Sequence, residues 1–300
     1  MLCPSVPPEP NRLPRARRAP AATPTWPVRT ITLLALVTAM LAGCGGECRG
    51  SVGLNASRCG GVVRARYRLT TLHIPTQAQA EAGELAGVDL DGVDGACGVP
   101  DYPGSVDNTL VGLVSAFYML APNDPLDVQA QLDEGLFCTA TEPDCAGVVL
   151  DVRVTPLTGR SARVELIVTE GGAQRVLATD EDASGDRDGR LTAHFDAVAL
   201  ELPMVDGEDQ RVFSLPLTGV VLTGTLELEG IRDLVLAGVV HRDALVSEFI
   251  LPLITPLDPS ALFDDLDGLF DVMTNPESAT CDGFSVGLTA TATALPAHLF

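Results

Sequence analysis

From Gly147 onward, apolar side chains return at every second position, and a half-buried strand is the conformation that gathers such residues on one side. Val148, Leu150, Val152 and Val154 alternate with Val149, Asp151 and Arg153, and the turn-forming run Pro156 to Arg160 leads into Val164, Leu166 and Val168. Gly171-Gly172 then reverses the chain into Arg175 to Thr179. Two-residue glycine turns between apolar alternations are the signature of hairpins, so the expectation is an antiparallel meander. Leu191, Ala193, Phe195, Ala197 and Ala199 form a further face, the glycine-punctuated stretch Leu217 to Val240 supplies two or three more strands, and Phe284 to Leu295 supplies the last. An earlier strand begins at Val63, where Ala65, Tyr67 and Leu69 alternate with Arg64, Arg66 and Arg68. Those arginines are expected on a solvated face, paired with acids from the arginine-free stretch Leu69 to Val152.

Helical spacing interrupts this pattern in three places. Leu110, Leu113, Val114, Phe117 and Leu120 follow Asp107, which reads as an N-cap, and Leu126, Leu132 and Leu136 follow Asp124 and Pro125. Near the end, Asp258 and Pro259 open a run with Leu262, Phe263, Leu266, Leu269, Phe270 and Met273 on one side and Asp264, Asp265, Asp267 and Asp271 on the other. An acidic polar face is unsuited to a membrane surface, so this helix is expected to pack on the sheet. The fold class that follows is a β-rich α+β domain over residues 62–300: an antiparallel sheet or sandwich with three to four packed helices, stapled by disulfides.

The N-terminal part reads differently. Ile31 to Ala42 is an apolar run preceded by Arg12, Arg15, Arg17, Arg18 and Arg29 and followed by small residues and a cysteine. It is too short for a membrane span, which needs roughly 20 residues, and it has the layout of a secretory signal. Leu41-Ala42-Gly43-Cys44 resembles the lipobox of bacterial lipoproteins. That resemblance, confined to the first 45 or so residues, implies cleavage before Cys44, acylation of Cys44 with palmitate among its chains, and a periplasmic or surface domain held on the membrane. Gly45 after the cysteine resembles outer-membrane sorting. Residues 1–43 are then a removed export signal, and residues 44–61, with many glycines and few apolar groups, a short tether.

Composition narrows the function classes. The chain carries a net charge of −21, and its five signal-region arginines against Glu9 make the remainder more acidic still. Nucleic acid is excluded as a partner, because phosphate binding needs clustered positive charge. With no lysine anywhere, Schiff-base and P-loop chemistry are excluded. Cys48, Cys59, Cys97, Cys138, Cys145 and Cys281 remain after Cys3 and Cys44 are set aside, an even six that suits an oxidising compartment. Local pairs of Cys48 with Cys59 and Cys138 with Cys145 would leave Cys97 to meet Cys281. Zinc is disfavoured by the absence of Cys-x-x-Cys spacing.

Candidate chemistry is sparse. Gly283-Phe-Ser285-Val-Gly287 matches the nucleophile-elbow pattern, but no helix, acid or suitably placed histidine follows it, so Ser285 is expected to face solvent on a terminal strand. Asp180, Asp182, Ser184, Gly185 and Asp188 fall at positions 1, 3, 5, 6 and 9 of a calcium loop whose twelfth position is Leu191, and Asp89, Asp91 and Asp94 form a second acidic, glycine-rich cluster. Ca2+ is therefore the one cofactor the sequence offers. The expected role is a non-catalytic binding, adhesive or structural module of the envelope. A calcium-stabilised surface domain is the alternative, and a hydrolase using unassigned carboxylates stands behind it.

Overall fold

The computed structural model describes residues 65–93, 95, 97, 99–120, 127–135, 148–157, 160–170, 172–186, 188–206, 209–250, 267–274 and 280–296. The lipobox Leu41 to Cys44, the tether at 44–61, Asp94 and the cysteines Cys48, Cys59, Cys138 and Cys145 lie outside them.

Among the described residues, eight strands form one closed antiparallel barrel in sequence order. They are β1 (Ala65–His73), β2 (Val149–Pro156), β3 (Ser161–Glu170), β4 (Ala173–Gly185), β5 (Arg190–Asp206), β6 (Asp209–Leu226), β7 (Gly230–His241) and β8 (Gly283–Ala294). The expected meander is present. What corrects the open sheet or sandwich is the pairing of β1 with β8, from Tyr67↔Ala294 to His73↔Thr289, which satisfies both edges at once. The three to four packed helices reduce, among the described residues, to short elements: α1 (Gln77–Glu81), α2 (Leu110–Leu120), α3 (Val128–Gly135) and brief turns at Arg242–Ile250 and Asp267–Leu269.

Closure depends on side-chain size at the last strand. Residues directly opposite on antiparallel strands share a face, so Ala292 stands beside Leu69 on one flank and Ile231 on the other, and Ala290 stands beside Leu72 and Leu234. Large side chains from both neighbours thus meet over small ones, which lets a narrow barrel fill without crowding. Gly230 has the same logic in the backbone: a Cβ there would lie 2.0 Å from the carbonyl oxygen of Ala292. The interior is apolar, with Tyr67, Val152, Val164, Leu222, Leu236 and Phe284 among its buried residues.

The outward side of β1 and β2 carries charged residues, while β3 and β7 set Ile167, Val235, Ala237 and Val239 on the same side of the barrel. Arg66 and Arg68 lie on the outward side of β1 as the alternation predicts, and both bind Asp151, through Arg66 Nε at 2.8 Å and Arg68 Nε at 3.0 Å. The acid does come from the expected stretch. The face is not solvated, however: Arg66 is 4% exposed and Asp151 0%. An acid shared between two guanidiniums can be withdrawn from water because each partner replaces part of its hydration.

One helix expectation also fails in part. Phe270 and Met273 belonged to a continuous helical stripe with Asp271 on its solvent side, yet Val272 bridges Gly283 and Asp271 is buried at 5% exposure. The start of that run lies outside the described residues. Asp107 likewise does not cap α2. Thr109 O accepts from Leu113 N–H at the helix start, while the Asp107 carboxylate accepts from Leu90 N–H.

Replacing Ala292 by Leu should destabilise the barrel by about 1–3 kcal/mol through overpacking, whereas Leu at the exposed, outward Thr293 should change stability by less than about 0.5 kcal/mol. Urea denaturation of the two variants checks the contrast; equal effects would contradict the size argument.

Candidate functional site

Between β1 and β2 the chain makes a strap, residues 85–113, against the outside of β8. Small residues on the outward side of β8 admit it. Asn108 donates from Nδ2 to Gly287 O at 2.9 Å and accepts at Oδ1 from Gly287 N–H at 3.0 Å, so its amide acts as one further rung of backbone. A Cβ on Gly287 would lie 2.6 Å from that Nδ2. Next to it, Ser285 Oγ accepts from Thr109 N–H at 2.8 Å and donates to Asp271 Oδ2, while Asp271 Oδ1 accepts from Ser285 N–H at 3.0 Å. Cys97 and Cys281 form the expected long disulfide, with Cα atoms 6.0 Å apart, and fasten the strap to the segment leading into β8.

Ser285 is therefore not on a solvent-facing position. It points out of the barrel, but the strap covers it and leaves it 0% exposed. Its partners are Asp271 and Thr109, with no imidazole among them. That arrangement satisfies a buried hydroxyl and carboxylate mutually, which is what burial of polar groups requires.

Tight turns in the strap bring carboxylates together. Gly92, Gly95 and Gly104 adopt φ of +73°, +74° and +92°, conformations open to glycine at little cost. Oxygens of Asp89, Asp91 and Asp107 converge to within 4.8 Å of one another. Asp89 Oδ1 accepts from Gly92 N–H at 2.6 Å and Asp91 Oδ1 from Val93 N–H at 2.8 Å. Asp91 Oδ2 and Asp101 Oδ2 are shielded from solvent without a hydrogen-bond partner. Burial pushes the Asp107 carboxyl up to about 7, against the lowering pull of Leu90 N–H and with help from Asp101, Asp271 and Asp91. Burial also raises Asp91, to which Asp101 and Asp89 add, and raises Asp271 in spite of the hydrogen bonds from Ser285. A cavity of about 210 Å³ opens beside this cluster, with Asp101, Tyr102, Asn108, Thr109 and Asp271 in its wall.

Of the sequence candidates, Asp89 and Asp91 are thus brought together, and Asp107 joins them. Asp180, Asp182 and Ser184 lie on β4, where the ladder shifts register between Asp180 and Ala183 and Asp180 Oδ1 accepts from Asp182 N–H at 2.9 Å. Asp180 also accepts from His194 N–H at 2.8 Å, near the two ladder pairs that join β4 to β5 among the described residues, and Asp186 Oδ1 holds the turn by accepting from Asp188 and Arg190 N–H. Asp101, Asp107 and Asp271 escaped the sequence reading because they converge through chain reversal rather than spacing. No family model, curated protein or solved structure matches this chain.

In calcium-free buffer the raised carboxyl of Asp107 should make stability pH-dependent. The unfolded acid loses its proton near 4 and the folded one near 7, so the folded state binds more protons between those values. Its contribution is complete below pH 4 and declines to nothing as pH rises through 7, a loss of up to about 4 kcal/mol. Asp107→Asn should flatten that slope in urea titrations at pH 5 and pH 8; an unchanged slope would assign it elsewhere.

Proposed function

We propose that the chain is an exported, lipid-anchored protein of the bacterial envelope, sorted to the outer membrane, whose barrel serves as a non-catalytic binding, adhesive or structural module. The observation that carries the non-catalytic part is the state of Ser285, the one nucleophile in an enzyme-like motif. It is sealed under the strap, and its hydroxyl is committed to Asp271. The anchor rests on the sequence Leu41-Ala42-Gly43-Cys44 after its apolar run. Three acyl chains would hold the domain firmly, since one alone gives only marginal binding.

A specific feature favours calcium as a stabilising ligand. Asp89, Asp91 and Asp107 offer converging oxygens, and Asp91 Oδ2 lacks any donor. Hard oxygen ligands on a short, turn-rich segment suit Ca2+, and extracellular modules hold it with Kd of roughly 0.1–1 mM. The ion would offset the repulsion that the clustered acids otherwise carry and would lock the strap against β8.

Two experiments test these readings. Cys44→Ser should accumulate as an unprocessed precursor that takes up no labelled palmitate, and normal processing of that variant would end the lipoprotein reading. Calcium at 10 mM should stabilise the full chain by about 1.4–2.7 kcal/mol, with the gain abolished in Asp91→Asn. Calorimetry showing no heat with millimolar calcium would remove the ion from the account.

A further inference from the structure

The seams of the barrel wall are not equally closed. Between β4 and β5 the ladder runs through Gly185↔Leu191 and Ser184↔Thr192 and stops, although β4 reaches back to Ala173 and β5 on to Asp206. The reason lies one rung farther. Asp186 N–H donates to Arg190 O, and the hydrogen-bonded pairs of an antiparallel ladder recur at every second residue, here at Ser184 with Thr192 and next at Asp182 with His194. In that next rung both N–H groups are already taken. Asp182 N–H donates to Asp180 Oδ1 at 2.9 Å, and His194 N–H donates to Asp180 Oδ2 at 2.8 Å. One carboxylate thus stands where two main-chain bonds would form, and the strands part beyond it.

From Asp180 back to Ala173, β4 stays paired with β3, while among the described residues no main-chain bond joins its other side to β5. What spans the seam there is an ion pair open to solvent, Arg175 Nη2 to Glu201 Oε1 at 3.3 Å. Ala173 to Val176 are exposed, and Val176 at 46% sets an apolar side chain beside the free main-chain groups. Such a row of N–H and C=O groups is a template for one more strand, and charge decides which strand can use it. Asp180, Glu181 and Asp182 on β4 and Asp196 and Glu201 on β5 border the seam, and Glu201 already holds Arg175. A second copy of this chain, with its net charge of −21, would bring the same acids to the same edge and be repelled. Charges along an edge guard it against chance pairing, but these acids leave it open to a strand of opposite sign.

We propose that the edge of β4 from Gln174 to Thr179 binds an extended basic segment of a partner protein. The segment adds to β4 as a further strand, its main chain meeting the free N–H and C=O groups and its Lys or Arg side chains lying among the acids that border the seam. This gives the binding role of the barrel a partner and rests on that reading, but it needs neither the lipid anchor nor the calcium cluster.

Calorimetry on the full detergent-solubilised chain, at physiological ionic strength, tests it with two capped peptides, one alternating lysine with valine and one alternating glutamate with valine. Saturable binding of the lysine peptide at least tenfold tighter than the glutamate peptide, with amide hydrogen exchange slowed between Gln174 and Thr179, is the expected result. Equal binding of the two peptides would overturn the proposal, and so would binding that leaves exchange in that segment unchanged, which is adhesion to an acidic surface alone. Asp180→Ala should free Asp182 and His194 N–H to complete the missing rung, draw β5 against β4 and weaken the lysine peptide at least tenfold. Glu229→Gln, in the turn between β6 and β7, should change it less than twofold. Should Asp180→Ala fail to fold, Val176→Lys decides from an exposed position: lysine-peptide binding as strong as in the parent chain would be equally fatal. A dimer of the parent chain that Val176→Lys dissolves would assign the edge to a second copy instead. Cleavage of the peptide, read by mass, would mark failure of the non-catalytic reading, whereas an intact peptide that does not bind marks failure of the edge alone.

Discussion

The barrel exists because two strands from distant parts of the sequence can satisfy each other's edges. A strand left at the end of a sheet presents a row of unmet N–H and C=O groups, and pairing β1 with β8 removes both rows together. Hydrogen bonding supplies the demand, and side-chain volume decides whether it can be met. Ala290 and Ala292 are small where the leucines and isoleucine of β1 and β7 converge, so the seam shuts with the interior filled. The chain continues this economy of size on the other side of β8, where Ser285 and Gly287 leave room for the strap.

The strap turns what could be a liability into a polar layer. Its buried groups are matched largely one to one: the Asn108 amide with the Gly287 backbone, Thr109 N–H with Ser285, and Ser285 with Asp271. Such matching is what makes a buried hydroxyl or carboxylate tolerable, because the alternative is an uncompensated loss of hydration. Arg66, Arg68 and Asp151 solve the same problem farther round the wall with charge instead of dipoles. Against this background the unmatched oxygens of Asp91 and Asp101 stand apart. They sit where the strap gathers like charges.

The strands were legible in the sequence because alternation is a local property: each of Val164, Leu166 and Val168 announces its face through its neighbours alone. Closure was not legible, since whether β1 meets β8 depends on curvature summed over the intervening strands and on volumes that become opposed only when the ends meet. Helical spacing misled at Phe270 and Asp271 for a related reason. An apolar periodicity says which residues avoid water, and a bridge to Gly283 can bury them as well as a helix can. In the acidic site, Asp89 and Asp91 were visible through their spacing and glycines. Asp107 looked like a helix cap because its side chain and position suit one, and only the reversal at Gly104 turns it towards Leu90. The long disulfide was reached by elimination among six cysteines, a counting argument that needed no geometry.

The pairing of β1 with β8 also sets an order of events in time. Hairpins β2–β3 and β5–β6 join residues close along the chain and can zip early, whereas Tyr67 meets Ala294 and Cys97 meets Cys281 across 184 residues or more. Contacts of such separation form slowly, because a long loop must first be closed. The first strand can pair with β2 early, but its other edge waits for β8, and until β8 arrives the nascent sheet carries two open edges. Shielding of those edges during that interval, by dilution or by a chaperone, is a requirement that the finished barrel no longer displays.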